Sequence, residues 1–202
     1  MGRCKMAKYF GNEAEREAAR MTSILMAASA RTAPKTRGED SVKTLILDGE
    51  DVIKLAEGME SKAQRMPAHS GNILKRNAVD VRASSCVLLV GVDGHPKRPE
   101  VPLDCGACGF DSCERLSKAP KRTKDFTGPN CMFQAMDLGI ALGSAVKMAS
   151  ELNIDNRMMY TIGVAAKEMK LLDSDIIIGI PLAVLGKSPY FDRSDRYREV
   201  KK

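Results

Sequence analysis

Cys86-Val-Leu-Leu-Val-Gly-Val92 is a short, wholly apolar run, and Asp93-Gly94 turns the chain directly after it. A run this brief and rich in branched side chains reads as a buried strand. A second run of the same kind, Ile176-Ile-Ile-Gly-Ile180, predicts a strand over residues 175–180 that Pro181 closes.

Outward from these strands the chain reads mainly as helix. Residues 13–30 are rich in Ala, Glu, Arg and Met, with Ala14, Ala18, Met21, Leu25 and Ala28 as the apolar stripe. Asp40-Ser41 is placed to cap a short helix over 42–47. A helix over 51–65, with Val52, Leu55, Ala56 and Met59 apolar, ends before Pro67. Residues 132–152 form a long apolar helix. Its Gly139 and Gly143 strip one face and invite close approach of another backbone. A further helix is expected over 156–169, and the polar tail from Gly186 onward reads as an extended arm.

Residues 95–129 break the pattern with Pro96, Pro99, Pro102, Pro120 and Pro129. This stretch carries Cys105-Gly-Ala-Cys108-Gly-Phe-Asp-Ser-Cys113, and Cys131 follows after seventeen residues. An iron–sulfur cube needs four thiolates converging on it, and three close cysteines plus one distant cysteine supply that arrangement. Gly106 and Gly109 allow the backbone to turn its N–H groups toward cluster sulfurs. Pro129-Asn130-Cys131 leads straight into the long helix, whose N-terminus favours an anionic cluster. Cys105, Cys108, Cys113 and Cys131 are therefore the candidate ligands of one [4Fe–4S] cluster. Lys118, Lys121, Arg122 and Lys124 lie between them, as a solvated loop or as added positive charge. A structural zinc site is the alternative, although zinc usually takes two separated Cys-x-x-Cys pairs and only one exists here.

Cys86, in the strand, reads as a small core residue, and Cys4 lies near the N-terminus. His69 and His95 stand in loop-like contexts as surface residues. The 202 residues are 44% hydrophobic and only 4% aromatic, with twelve Met and no Trp, enough for one sizeable core. We read 1–202 as a single domain, with 93–131 as an inserted cluster-binding segment. The net charge of +6 is spread along the chain, with short clusters at 118–124 and 193–202. It permits a nucleic-acid partner, yet no RNA-binding signature, zinc finger or basic–aromatic stripe accompanies it. No apolar run reaches membrane-spanning length, and residues 1–10, with Arg3, Lys5 and Lys8, lack the apolar segment of a signal peptide. A cytoplasmic location follows as the expectation, where six cysteines point to metal or redox chemistry rather than disulfides.

The four-cysteine spacing over 104–131 resembles the small 4Fe–4S domain of the corrinoid iron–sulfur protein and of the ferredoxin-like subunit of Rnf-type electron-transport complexes. The whole chain resembles a family of archaeal and bacterial proteins described as containing a ferredoxin domain. That likeness rests on Ala30-Arg-Thr-Ala-Pro-Lys35, Leu103-Asp-Cys-Gly-Ala-Cys-Gly-Phe110, Gly128-Pro-Asn-Cys131, Asp137-Leu-Gly-Ile-Ala-Leu-Gly-Ser-Ala145, Asp155-Asn-Arg-Met-Met-Tyr160, Gly179-Ile-Pro-Leu182 and Gly186-Lys-Ser-Pro-Tyr-Phe-Asp-Arg193. The order of elements, from the Ala33-Pro34 turn to the late Gly179–Pro181 strand end, also resembles nitroreductase-type flavoproteins. That resemblance implies an α+β fold, with nitroreductase-like helices around a small central sheet and the cluster motif as a loop-rich insert. It further implies a homodimer and an FMN whose phosphate would meet Arg31, Lys35, Arg37 and Lys187.

The sequence thus points to an iron–sulfur electron-transfer protein with a redox protein partner, or a flavin-linked reductase. A zinc-stapled, non-catalytic binding module is the alternative.

Overall fold

The computed structural model of the chain describes Lys8 and residues 10–191. Cys4, Arg3, Lys5 and the basic stretch 193–202 lie outside the described residues. The elements run α1 (Gly11–Thr32), a 3-10 turn (Thr36–Gly38), β1 (Val42–Asp48), α2 (Glu50–Gln64), α3 (Ala68–Arg82), β2 (Cys86–Val92), α4 (Cys113–Lys118), the short strands β3 (Arg122–Thr123) and β4 (Thr127–Gly128), α5 (Met132–Glu151), β5 (Asp155–Asn156), α6 (Tyr160–Glu168) and β6 (Ile176–Ala183). This is an α+β fold, helices around a small antiparallel sheet of order β1-β2-β6-β5.

Both faces of β2 are covered, which is why its sequence is apolar at every position rather than alternating. Cys86, Leu88, Val90 and Val92 enter one core with Ala19, Met26 and Ala30 of α1 and Leu138, Ala141 and Ala145 of α5. Val87 and Leu89 point the other way, into a second core with Leu55 and Met59 of α2, Val81 of α3 and Ile162 of α6. The helices thus form a layer on each side of the sheet.

Several expectations change. Residues 42–47 form a strand, not a helix. Val42 and Ile46 face one core while Leu45 and Leu47 face the other, a period of two. Asp40 accepts the Val42 N–H at 3.0 Å and so starts the strand instead of capping a helix. Helix α1 forms over nearly the span expected, but its buried face is Ala19, Thr22, Ser23, Met26 and Ala30. Met21 and Leu25 are exposed, because the smaller side chains let α1 pack closely on α5 and β2. Helix α3 had no counterpart in the sequence reading. It buries a thin face, Gly71, Leu74, Asn77, Ala78 and Val81, against α2 and α6.

Strand β6 continues through Pro181 to Ala183. Gly179 exchanges hydrogen bonds with Met159, so alternate residues Gly179, Pro181 and Ala183 turn their backbone toward β5. Pro181 falls in the gap between that bridge and the two β5 pairs, where no donor is required. The close helix–sheet approach also lies elsewhere than expected. A Cβ on Gly163 would stand 1.7 Å from the Ile177 carbonyl oxygen, whereas Gly139 and Gly143 are exposed with nothing within 4 Å. Nor is the segment after Gly186 an arm as far as it is described. Tyr190 is fully buried in the second core, and its hydroxyl lies 2.9 Å from that of Ser84.

Candidate metal centre

Residues 93–130 join β2 to α5, and the long connection crosses the carboxyl end of β2. Gly94 follows the strand and fixes the far end of the connection: its carbonyl accepts the Cys131 N–H at 2.7 Å. Asn130 packs on Gly94 so tightly that a Cβ there would lie 1.7 Å from the Asn130 Oδ1. Asp175, at the start of β6, accepts the Gly94 N–H at 2.8 Å and pairs with Lys121. The Asp175 backbone accepts the Thr127 N–H at 3.0 Å and donates to the Val92 carbonyl at 2.9 Å. Asp175 thus ties both ends of the connection to the sheet.

Within the connection, Gly106 and Gly109 adopt φ of 72° and 82°, with open space where a side chain would start. The Gly109 N–H closes a turn on the Gly106 carbonyl at 2.9 Å and wraps the chain between Cys105 and Cys108. Asp104 accepts the Cys113 N–H at 2.7 Å and draws the third cysteine back toward the first. Cys113 opens α4, which Ser112 caps through the Arg115 N–H at 3.2 Å. Cys131 is the N-cap of α5, and no side chain caps that helix start. The positive end of a 20-residue helix therefore faces the same space as Cys131.

Cys105, Cys108, Cys113 and Cys131 all line one cleft of about 500 Å³, its open side included. Leu103, Phe110, Leu116, Met132 and Phe133 form its apolar wall. Cys105 is exposed and the other three are half-buried. None of the four is in a disulfide. Among the described residues no three His, Cys, Asp or Glu side chains close on a single metal ion. A cube distributes its thiolates over separate irons and so asks for a wider set than one ion does. The donor chemistry, the turned glycine backbone and the helix start fit such a cluster.

Sequence reasoning missed the buried polar set beside this cleft. Lys97 lines it, and its ammonium is buried, donating to the Asp137 carboxylate and to the carbonyls of Thr36 and Glu39. Asp137 is wholly buried and also accepts the Thr36 N–H at 2.9 Å and hydroxyl at 2.8 Å. Gln134, one turn into α5, donates to the His95 carbonyl at 2.7 Å and accepts the Ser41 hydroxyl. The one signal was Asp137 itself, a lone carboxylate in an otherwise apolar helix stretch.

The four candidate phosphate residues have different surroundings. Arg31 pairs with Asp40, and Lys35 is spent on the α1 end, donating to the carbonyls of Ala30 at 3.1 Å, Ala33 at 2.8 Å and Arg31. Arg37 lines the cysteine cleft, where it donates to the Val101 carbonyl, and Lys187 is exposed beyond β6. In the basic loop Lys118 pairs with Glu114 and Lys121 with Asp175, while Arg122 and Lys124 are exposed. His69 and His95 are exposed. Cys86 is buried, as its strand position implies, and burial pushes its thiol up to about 11. No helix among the described residues is long and apolar enough to cross a membrane.

Comparison with known proteins places this geometry. The chain is 46% identical over 180 residues, 89% of its length and 94% of the relative's, to an uncharacterized protein of Archaeoglobus fulgidus. A family profile described as "uncharacterized protein containing a ferredoxin domain" matches residues 127–193, which include Cys131. Among solved structures, a nitroreductase with bound FMN from Desulfitobacterium hafniense shares the fold at a TM-score of 0.52 and 15% identity, over 87% of this chain and 84% of that one. An oxidoreductase containing FMN aligns at 0.50 and 13% identity, over 83% and 68%. The fold is thus nitroreductase-like, and the chain belongs to the family of uncharacterized proteins containing a ferredoxin domain.

Proposed function

We propose that Cys105, Cys108, Cys113 and Cys131 hold a [4Fe–4S] cluster and that the protein is an electron-transfer component of a redox reaction. The observation that carries this is the convergence of the four cysteines, from two separate segments, on one surface cleft. The ferredoxin-domain family supports a redox role. When bound, such a cluster supplies one-electron transfer.

The chain's own residues then have definite tasks. Gly106 and Gly109 turn the backbone around the motif, and the start of α5 presents positive potential to an anion. Leu103, Phe110, Leu116, Met132 and Phe133 exclude water from the inner side. Exposed Cys105 marks the side on which a redox partner has access.

The likeness to FMN-containing structures favours a second reading, a flavin as an additional centre. Arg31 and Lys35 are engaged within the chain, so a flavin phosphate at these residues would have to displace those bonds.

An anaerobic preparation tests both readings on one sample, by iron, zinc, acid-labile sulfide and flavin analysis with absorbance and EPR. The expected result is roughly four irons and four sulfides per chain, with an EPR signal that appears on reduction. One zinc per chain without sulfide overturns the cluster reading.

A further inference from the structure

We propose that Lys97 is a fixed cation on the lining of the four-cysteine cleft and raises the reduction potential of the centre there. The inference rests on the cluster reading above and adds a residue outside the cysteine motif that sets the centre's redox poise.

Three charged residues line the cleft: Arg37, Lys97 and Asp104. They differ in how far water can screen them. Asp104 is exposed, and Arg37 is half-buried with its guanidinium on the Val101 carbonyl. The Lys97 side chain is only 4% exposed, so its charge acts through a medium of low polarizability. A four-thiolate cluster is anionic, and reduction adds one more negative charge to it. A buried cation on the lining stabilises the reduced form more than the oxidised form.

The counter-ion does not cancel this effect, because of where it sits. Asp137 holds the ammonium but is not part of the lining; it is wholly buried in α5. Of the two residues, only the one that carries the positive charge meets the cleft. Thr36 donates its N–H and hydroxyl to Asp137, while the carbonyls of Thr36 and Glu39 accept from Lys97. These contacts fix both charges in place.

A merely structural staple would tie the connection to α5 without regard to sign. The two roles separate in a redox titration of the anaerobically loaded protein, read by EPR, with iron and sulfide counted in every sample. Lys97→Gln removes the positive charge and should lower the potential, by about 59 mV if reduction becomes tenfold less favourable. Asp137→Asn removes the opposing charge and should raise it. Lys97→Arg should stay nearer the native value than Lys97→Gln does. Opposite shifts in fully loaded variants support the proposal; unshifted potentials, or shifts of one sign in both, overturn it. Should Lys97→Gln fail to load, Asp137→Asn carries the test, and a potential at or below the native value overturns the proposal. A native chain with neither iron nor sulfide overturns the cluster reading itself and this inference with it. A loaded native chain with unshifted variants overturns the inference alone.

Discussion

The carboxylate of Asp175 accepts the N–H of Gly94 at 2.8 Å, and the carbonyl of Gly94 accepts the N–H of Cys131 at 2.7 Å. One residue at the start of β6 is thereby coupled, through a single intervening residue, to a candidate ligand at the mouth of α5. Burial alone would raise the Asp175 carboxyl. The hydrogen bonds from Lys121 and Gly94 outweigh that and hold it below its ordinary value of 3.8. A depressed folded-state value means that the carboxylate contributes stability above the unfolded value. That contribution disappears as pH falls through the folded value. Asp175→Asn should cost about 1–2 kcal/mol at neutral pH, since the hydrogen bonds lose their charge assistance. The gap between variant and native protein should begin to narrow as pH falls below about 3.8, the ordinary value, and close only below the lower folded value. Urea unfolding of the metal-free protein at pH 7 and at a series of values below pH 4 measures this; a gap that does not narrow with acid refutes the assignment.

Gly94 has no room for a side chain, because its Cβ would run into Asn130, the residue before Cys131. Gly94→Ala must displace Asn130 or break the bond that Cys131 donates to Gly94. Neither sheet core contains either residue. We therefore expect Gly94→Ala to keep a native far-ultraviolet circular dichroism spectrum while iron and sulfide content falls several-fold. Full loading of this variant would show that Cys131 does not depend on Gly94.

The thiols should fall into separate classes. Cys105 is exposed, Cys108, Cys113 and Cys131 are half-buried, and Cys86 is fully buried with its thiol raised to about 11. Thiolate, not thiol, is the reacting form. In metal-free protein carrying Cys4→Ser, iodoacetamide at pH 8 should label Cys105 first and the three half-buried cysteines next. Cys86 should react only on denaturation, at least a hundredfold more slowly than Cys105 by this reasoning. Peptide mass spectrometry over a time course reads the order, and early labelling of Cys86 contradicts its burial.

The parts legible in the sequence are those whose signal is local. The uniform apolar run of β2 needs no partner to be recognised, and the faces of α2 and α5 repeat at helical spacing within one segment. The cysteine motif is likewise a matter of spacing, and so the four candidate ligands could be named before the fold was known. Segment 42–47 was ambiguous because six residues hold too little periodicity to separate strand from helix, and the sheet partner decides it. In α3 a buried face that includes Gly71 and Asn77 carries little hydrophobic signal. The support of the candidate site was illegible for a different reason. Lys97 meets Asp137 forty residues away, and Gly94 meets Asp175 eighty-one away. Such pairs exist only once the sheet has brought the strand ends together.

Leu88 and Leu89 are adjacent, both fully buried, and point into opposite cores. Truncation of either to Ala leaves a cavity in a packed interior and should cost about 2–5 kcal/mol. The consequences for the cysteine cleft should differ. Leu88 shares its core with Leu138, Ala141 and Ala145 of α5, the helix that begins at Cys131. Leu89 packs in the core built from α2, α3 and α6, none of which carries a candidate ligand. At equal loss of stability in urea, Leu88→Ala should release iron to a chelator faster than Leu89→Ala, because the cavity loosens the element that positions Cys131. Chelator-trapped iron followed by absorbance, at matched distance from the unfolding midpoint, makes the comparison. Equal release rates would mean that the hold on Cys131 comes from Gly94 and Asn130 rather than from the packing of α5.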